Sequence, residues 1–262
     1  FDRYMPTWRA DNASLRGALG VPAEEVWAAH LIAKHELFEA VRTKTGLNFD
    51  PEVFTIGFAR RATGYKRADL ILADLDKLRQ IAKNAGQFQI IYAGKAHPND
   101  GGGKDIIRRI FHAKKALRKM VPVVFLDNYN LDLGGKITSG VDLWLNTPQF
   151  PLEASGTSGM KAAINGVPSL SILDGWWVEG HIEGVTGWSI GETGSAAAGG
   201  AATDNAADTE SLYEKLESII IPMYYNERSK FLDVMQHAIA INGAFFNTQR
   251  MVQQYITDAY LR

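Results

Sequence analysis

VFTIGFARRATGYKR (53–67) decides the fold. Its first seven residues form a short apolar run without polar alternation, the pattern of a strand buried on both faces. Its last eight are polar and bring Arg60, Arg61, Lys66 and Arg67 together, with Gly64 permitting a sharp turn. The same unit recurs downstream. A helix is expected over about 68–84, a strand at QFQIIYA (87–93), a helix over about 102–119, and a strand at VPVVFL (121–126). A short helix at 131–139, a strand at DLWLN (142–146), a helix at about 158–165 and a strand at SLSIL (169–173) follow. Strands alternating with helices imply a parallel sheet with right-handed crossovers and helices on both faces. The fold class is therefore α/β, a Rossmann-like doubly wound parallel sheet.

Upstream, AEEVWAAHLIAKHELFEAVRTK (23–44) places Val26, Trp27, Leu31, Ile32, Leu37, Phe38 and Val41 at roughly helical spacing. Pro22 suits the first turn of such a helix and Gly46 a stop near its end. Downstream, ETGSAAAGGAATDNAAD (192–208) is rich in small residues and has no aromatic, so it reads as a flexible surface loop. Helices are expected at about 209–224, 227–240 and 245–260. The organisation is thus a helical lead-in (1–50), an α/β core (51–190), the loop, and C-terminal helices (209–262), additional helices flanking the sheet at both ends.

The 262 residues suit one large domain, and 46% hydrophobic with 22% charged residues is ordinary for a globular protein. A net charge of −1 leaves no electrostatic footprint for nucleic acid and no polybasic patch for a membrane surface. With no cysteine, disulfides and thiolate chemistry are excluded, which suits a reducing, cytoplasmic setting. No run approaches the ~18 apolar residues of a membrane span. The start, FDRYMPTWRADN, does not read as an export leader, and opening on Phe1 leads us to expect a piece of a longer protein.

Ligands of doubly wound sheets bind beyond the carboxyl ends of the strands, so the loops there are the candidates. The four cations of 60–67 suit a phosphate dianion, or else form a solvated basic loop. YAGKAHPNDGGGKD (92–105) carries Lys95 and His97, but its glycine run lacks Walker spacing and reads as a mobile turn before a helix. PLEASGTSGMKAAING (151–166) is the most informative. Ser155, Gly156, Thr157, Ser158 and Gly159 lead into a helix N-terminus, a natural anion site, and Lys161 lies one or two turns in. Partial desolvation and the positive helix end would favour a reactive amine there, which covalent attachment of pyridoxal phosphate requires. A plain capped helix with an exposed lysine is the alternative. Glu153 would bind sugar hydroxyls or merely complement the helix dipole. In LDGWWVEGHIEGVTGW (173–188), Trp176 and Trp177 suit a sugar-contact surface or the core equally. Neither zinc-type histidine spacing nor a GxSxG elbow is present.

From about residue 50 to 190 the chain resembles the α-glucan phosphorylases (glycogen, starch and maltodextrin phosphorylases), and most of all their shorter prokaryotic branch. EASGTSGMK (153–161) is similar to the family's pyridoxal-phosphate signature and RRATGYKR (60–67) to its phosphate-binding loop. GKAHP (94–98), LDNY (126–129) and LDG–VEG (173–180) fall in the expected order. The cradle departs from the long animal and plant enzymes, reading SGTSGMK where they read SGTGNMK, and Gly64 stands where they have an acidic residue.

The resemblance implies the C-terminal half of a two-domain GT-B glycosyltransferase that needs an N-terminal half to complete its cleft, with a homo-oligomer as one possible assembly. It implies pyridoxal 5'-phosphate carried by Lys161, with Arg60, Thr157 and Ser158 on the cofactor's phosphate and Tyr129 beside its ring. Arg61 and Lys66 would hold inorganic phosphate or the phosphate of glucose 1-phosphate. Glu153, Ser155 and Gly156 would contact the terminal glucosyl unit of an α-glucan, and phosphorolysis would retain anomeric configuration. Arg61, Lys66 and Lys161 would thus be the catalytic set. A nucleotide-sugar-dependent retaining glycosyltransferase shares the architecture but needs no imine-forming lysine at position 161. A non-catalytic glucan-binding module is a further reading, set against the intact Arg61, Lys66, Glu153 and Lys161. A transaminase-like enzyme lacks support, because the acidic partner of the pyridine nitrogen is missing.

Overall fold

The computed structural model describes residues 1–191 and 204–261. Among them, the apolar runs become β1 (Phe54–Ala59), β2 (Phe88–Ala93), β3 (Val123–Leu126), β4 (Leu143–Asn146) and β5 (Ser169–Ile172), joined by β6 (Gly187–Ile190). They form one parallel sheet in the order β3-β2-β1-β4-β5-β6. Every residue of β1 and β2 is buried, which is why these strands read as unbroken apolar runs. The Rossmann-like doubly wound sheet expected from the sequence is therefore the observed one.

The strand order reverses where β1 pairs with β4, at Ile56–Leu143 and Gly57–Trp144. The loops leaving the carboxyl ends of these two strands lead to helices on opposite faces, and in open α/β sheets such a switch point is the usual ligand position. Those loops are 60–67 and 147–156, two of the segments singled out above.

The helices α1 (Ala23–Thr45), α2 (Leu75–Asn84), α3 (Gly101–Leu117), α4 (Leu131–Gly140) and α5 (Thr157–Ile164) divide between the two faces. Phe54, Ile56 and Phe58 of β1 pack with Leu78 and Ile81 of α2 and Ile106 and Ile110 of α3. On the opposite face, Ala59, Ile91 and Val124 pack with Leu37 and Val41 of α1, Ile137 of α4 and Ala162 of α5. A four-residue α6 (Trp177–Gly180) follows β5, and α7 (Asn205–Lys215), α8 (Ile221–Asn226), α9 (Arg228–His237) and α10 (Thr248–Tyr255) complete the described chain, several of them extended by π-helical turns.

Three expectations are corrected. The helix expected from 68 begins at Leu75; residues 64–72 form two short 3₁₀ turns, and the Asp74 carboxylate, accepting from the amides of Asp76 and Lys77, fixes the later start. The glycine run 101–103 is no mobile turn but the first turn of α3, capped by Asp100. Of the loop expected over 192–208, residues 192–203 lie outside the described residues, whereas Asp204 caps α7 so that 205–208 are already helical. Strand β6 and helix α6 were not expected.

Helix α1 ends at Gly46 in the left-handed conformation, as anticipated, but its core face is different. Ile32 is 64% exposed, whereas His30 and Lys34 are buried. Both meet Asp142, which is fully buried: His30 Nε2 lies 2.8 Å from Oδ1, and the Lys34 ammonium donates to Oδ2 at 2.7 Å. Lys34 also donates to the Val53 carbonyl at 3.0 Å, and the Thr55 amide donates to Oδ2 at 2.7 Å. Ionic pairing therefore ties α1 to the amino ends of β1 and β4, and it turns a charged stripe inward.

Candidate functional site

The first site element is the loop after β1. Arg60 leaves the strand end and its guanidinium donates to Asn146 at the end of β4 and to Glu153 Oε2 at 2.7 Å. Lys66, 6% exposed, donates to the same Glu153 oxygen at 3.0 Å, and its ammonium lies 4.4 Å from the Tyr65 ring centre. Arg67 serves a structural end. Its guanidinium donates to the carbonyls of Thr147 (3.0 Å) and Pro148 (2.8 Å) and pairs with Asp208 at 2.7 Å. It thereby locks the loop after β1 to the loop after β4 and to α7. Arg61 is exposed, and its side chain makes no hydrogen bond or ion pair among the described residues.

The second element is the loop after β4. Glu153 is 7% exposed, and three contacts set its place. Its amide donates to Asp174 Oδ2 at 2.9 Å, while its carboxylate takes Arg60 and Lys66. Burial pushes the Glu153 carboxyl up, but the bonds and charges of Arg60 and Lys66 outweigh it, so the group sits below its ordinary range. Asp174 differs. Burial dominates over the two amide hydrogen bonds it accepts and raises its carboxyl above the ordinary range.

The third element, the segment after β5, braces the second. Besides the Glu153 amide, Asp174 accepts from the Gly175 amide at 2.9 Å, and the Trp176 amide donates to the Ser155 carbonyl at 2.8 Å. Gly175 has a φ of 56°, and a β-carbon there would lie 2.5 Å from the Ser155 carbonyl oxygen, so only glycine fits. The Trp176 indole covers the start of α5, where a β-carbon on Gly159 would meet it at 2.8 Å. Trp176 and Trp177 are 4% and 0% exposed, so these tryptophans are core and not a sugar-contact surface.

Gly156 (φ 87°) precedes α5 and turns the chain into it. The first amides of α5 have no intrahelical acceptor, and the helix dipole adds a partial positive charge there. Ser158 Oγ is buried and has no hydrogen-bond partner among the described residues. An orphaned hydroxyl beside free helix amides suits the oxygens of a phosphate ester, so these residues fit a phosphorylated cofactor. Thr157 is exposed, as is Lys161, so the partial desolvation expected of that lysine is not met here. Tyr129, after β3, is half-buried; burial raises its hydroxyl and the nearby Arg60 charge opposes this.

The structure thus brings Arg60, Lys66 and Glu153 into direct contact, sets Tyr129 within the field of Arg60, and places Ser155, Gly156, Thr157, Ser158 and Lys161 on the same turn and helix. His97 and Lys95 are exposed, and His97 Nδ1 accepts from the Asn99 amide at 3.2 Å, a turn contact. The sequence reading missed Asn146 and the anchoring part of Asp174. The position of Asn146 at a strand's carboxyl end was a usable signal. A groove of about 1280 Å³ lies between α2, α3 and α7 and includes none of Arg60, Lys66, Glu153 or Lys161. No cluster of metal-ligating side chains occurs among the described residues, and no helix among them is long and apolar enough to cross a membrane.

Comparison with known proteins bears on the family of the chain. Residues 22–249 match the family model of the carbohydrate phosphorylases. The chain is 40% identical to the maltodextrin phosphorylase of Thermococcus litoralis over 99% of its own length and 33% of that protein's. It is 41% identical to the glycogen phosphorylase of Aquifex aeolicus, over 92% of this chain and 37% of that one. Against a glycogen phosphorylase of Mycobacterium tuberculosis the identity is 38%, over 81% of this chain and 25% of that one. The chain spans about a third of the length of the first two relatives.

Proposed function

The chain belongs to the carbohydrate phosphorylase family, and from that premise we propose that it is the cofactor-carrying part of an α-glucan phosphorylase, the C-terminal half of a GT-B enzyme. The observation that carries the reading is that, at the sheet's switch point, Arg60 and Lys66 meet Glu153 in the loop that runs into α5, the helix that bears Ser158 and Lys161. The substrates are inorganic phosphate and the non-reducing end of an α-1,4-glucan, and the product is glucose 1-phosphate with retained configuration. A cytoplasmic setting and completion of the cleft by the remainder of a longer enzyme belong to the same proposal.

Lys161 would hold pyridoxal phosphate, with the α5 amides, Thr157, Ser158 and Arg60 on its phosphate and Tyr129 near its ring. When bound, that group supplies a phosphate that assists proton donation by the substrate phosphate. Arg61 and Lys66 hold the substrate phosphate as it protonates the glycosidic oxygen. The bond from that oxygen to the anomeric carbon breaks, and a phosphate oxygen forms the new one. Two phosphates in one crevice repel each other, and clustered cations with a helix N-terminus are the physical remedy. Glu153, Ser155 and Gly156 orient the glucosyl unit, their backbone held by Asp174 and Trp176.

The test is product analysis by phosphorus and proton NMR. Protein supplied with pyridoxal phosphate, maltodextrin and phosphate should form α-glucose 1-phosphate, at a rate far below that of the longer relatives if the chain acts alone. Glucan extension from a nucleotide sugar, with no dependence on phosphate, would contradict the proposal.

A further inference from the structure

Arg60 and Lys66 both direct a donor at one oxygen of Glu153, at 2.7 and 3.0 Å. All three side chains are no more than 8% exposed, so little water screens the contact. The carboxylate therefore sits where a phosphate oxygen must sit to be held by the same two cations. The backbone under it cannot yield: the Glu153 amide is fixed to Asp174 and the Ser155 carbonyl to the Trp176 amide. What can move is the Glu153 side chain, about rotatable bonds.

We infer that Glu153 holds the anion seat and competes for it, so that engagement of a substrate phosphate by Lys66, beside the Arg60 assigned to the cofactor's phosphate, and release of the Glu153 carboxylate are one event. The inference rests on the function proposed above. Charge decides its direction. Arg60 and Lys66 together offer +2, Glu153 cancels one unit, and the third cation, Arg61, is exposed and unpaired among the described residues. A dianion gains the full charge of the pair only once the carboxylate leaves. The carboxylate so released is free to accept from sugar hydroxyls, which makes phosphate occupancy a condition for gripping the glucosyl unit. Removing an acidic residue from the candidate substrate site should then strengthen anion binding.

The experiment is isothermal titration of the chain with inorganic phosphate and, separately, glucose 1-phosphate, for wild type, Glu153→Gln and Glu153→Asp. Glu153→Gln keeps an acceptor oxygen but removes the charge, and should bind phosphate about tenfold tighter, on the scale of a charge-assisted hydrogen bond released from competition. Glu153→Asp, with a retracted carboxylate, should fall between. The gain for glucose 1-phosphate should be smaller, because the variant also loses the carboxylate acceptor for the sugar. Unchanged or weaker phosphate binding in Glu153→Gln overturns the inference, and equal gains for both ligands remove Glu153 from the sugar side. Should Glu153→Gln fail to fold, the Glu153→Asp affinity decides. Wild type that binds no phosphate while pyridoxal phosphate still attaches to Lys161 refutes this inference alone. A tenfold gain with Lys161 left unmodified supports the competition and sinks the cofactor reading instead.

Discussion

Lys34→Met tests the buried ionic cluster that the sequence concealed. The substitution keeps the length of the side-chain stem but removes the ammonium that donates to Asp142 Oδ2 at 2.7 Å and to the Val53 carbonyl at 3.0 Å. Asp142, 0% exposed, keeps, among the described residues, His30 and the Thr55 amide. Stranding one member of a buried pair costs about 3–5 kcal/mol. Since stabilities of whole domains run to about 5–15 kcal/mol, that is a large share. At roughly 2–4 °C per kcal/mol for a chain of this size, the melting midpoint should fall by roughly 6–20 °C. The assay is denaturant and thermal unfolding of wild type, Lys34→Met, Asp142→Asn and the double variant. In the double variant neither charge is stranded, so it should recover much of the loss.

The pH dependence has a definite sign. Burial pushes the Asp142 carboxyl up, but Lys34 and His30 outweigh it and hold it below its ordinary value. A depressed carboxyl adds stability above the unfolded-state value of about 3.9, and that stability is lost as pH falls through the folded value. Without Lys34 the depression goes, so the penalty of Lys34→Met should shrink in acid as Asp142 takes a proton. A Lys34→Met protein that unfolds at the wild-type midpoint, with a penalty independent of pH, would refute the reasoning.

Other outcomes follow from the site. Asp174→Ala leaves the amides of Glu153 and Gly175 without their acceptor. It should cost about 1–3 kcal/mol and speed hydrogen exchange at Glu153 while strand amides such as Ile90 keep their protection, as read by exchange NMR. Arg61→Ala removes an exposed side chain with no partner among the described residues, so the melt should move by less than about 0.5 kcal/mol. Its phosphate affinity, by titration, should nonetheless fall about tenfold as one cation leaves the anion seat.

The sheet was legible because its strands are buried on both faces and therefore announce themselves as apolar runs such as VFTIGFA and QFQIIYA. The order of those strands, and with it the switch point, came from the structure. Strand β6 escaped notice because it is four residues long and includes a glycine and a serine, Gly187 and Ser189. The inward face of α1 escaped because its partner, Asp142, lies 108 residues beyond Lys34, and periodicity of apolar residues cannot register an ionic contact. The start of α7 was set by one capping side chain, Asp204, inside a stretch whose composition spoke for a loop. At the site, EASGTSGMK and the basic loop stood out in the sequence as a candidate anion cradle and candidate cations. That Glu153 would join Arg60 and Lys66 was not, because the pairing depends on how two loops converge across β1 and β4. The tryptophans illustrate the same limit: only the packing of Trp176 over the start of α5 decides between core and surface.

The central claim is that Lys161 carries a phosphorylated aldehyde cofactor. It is tested most directly by incubating the protein with pyridoxal phosphate, reducing with borohydride and locating the modified lysine by peptide mass spectrometry. The account predicts a label concentrated on Lys161. A label spread over surface lysines in proportion to their exposure, with Lys161 no more modified than the rest, would contradict it.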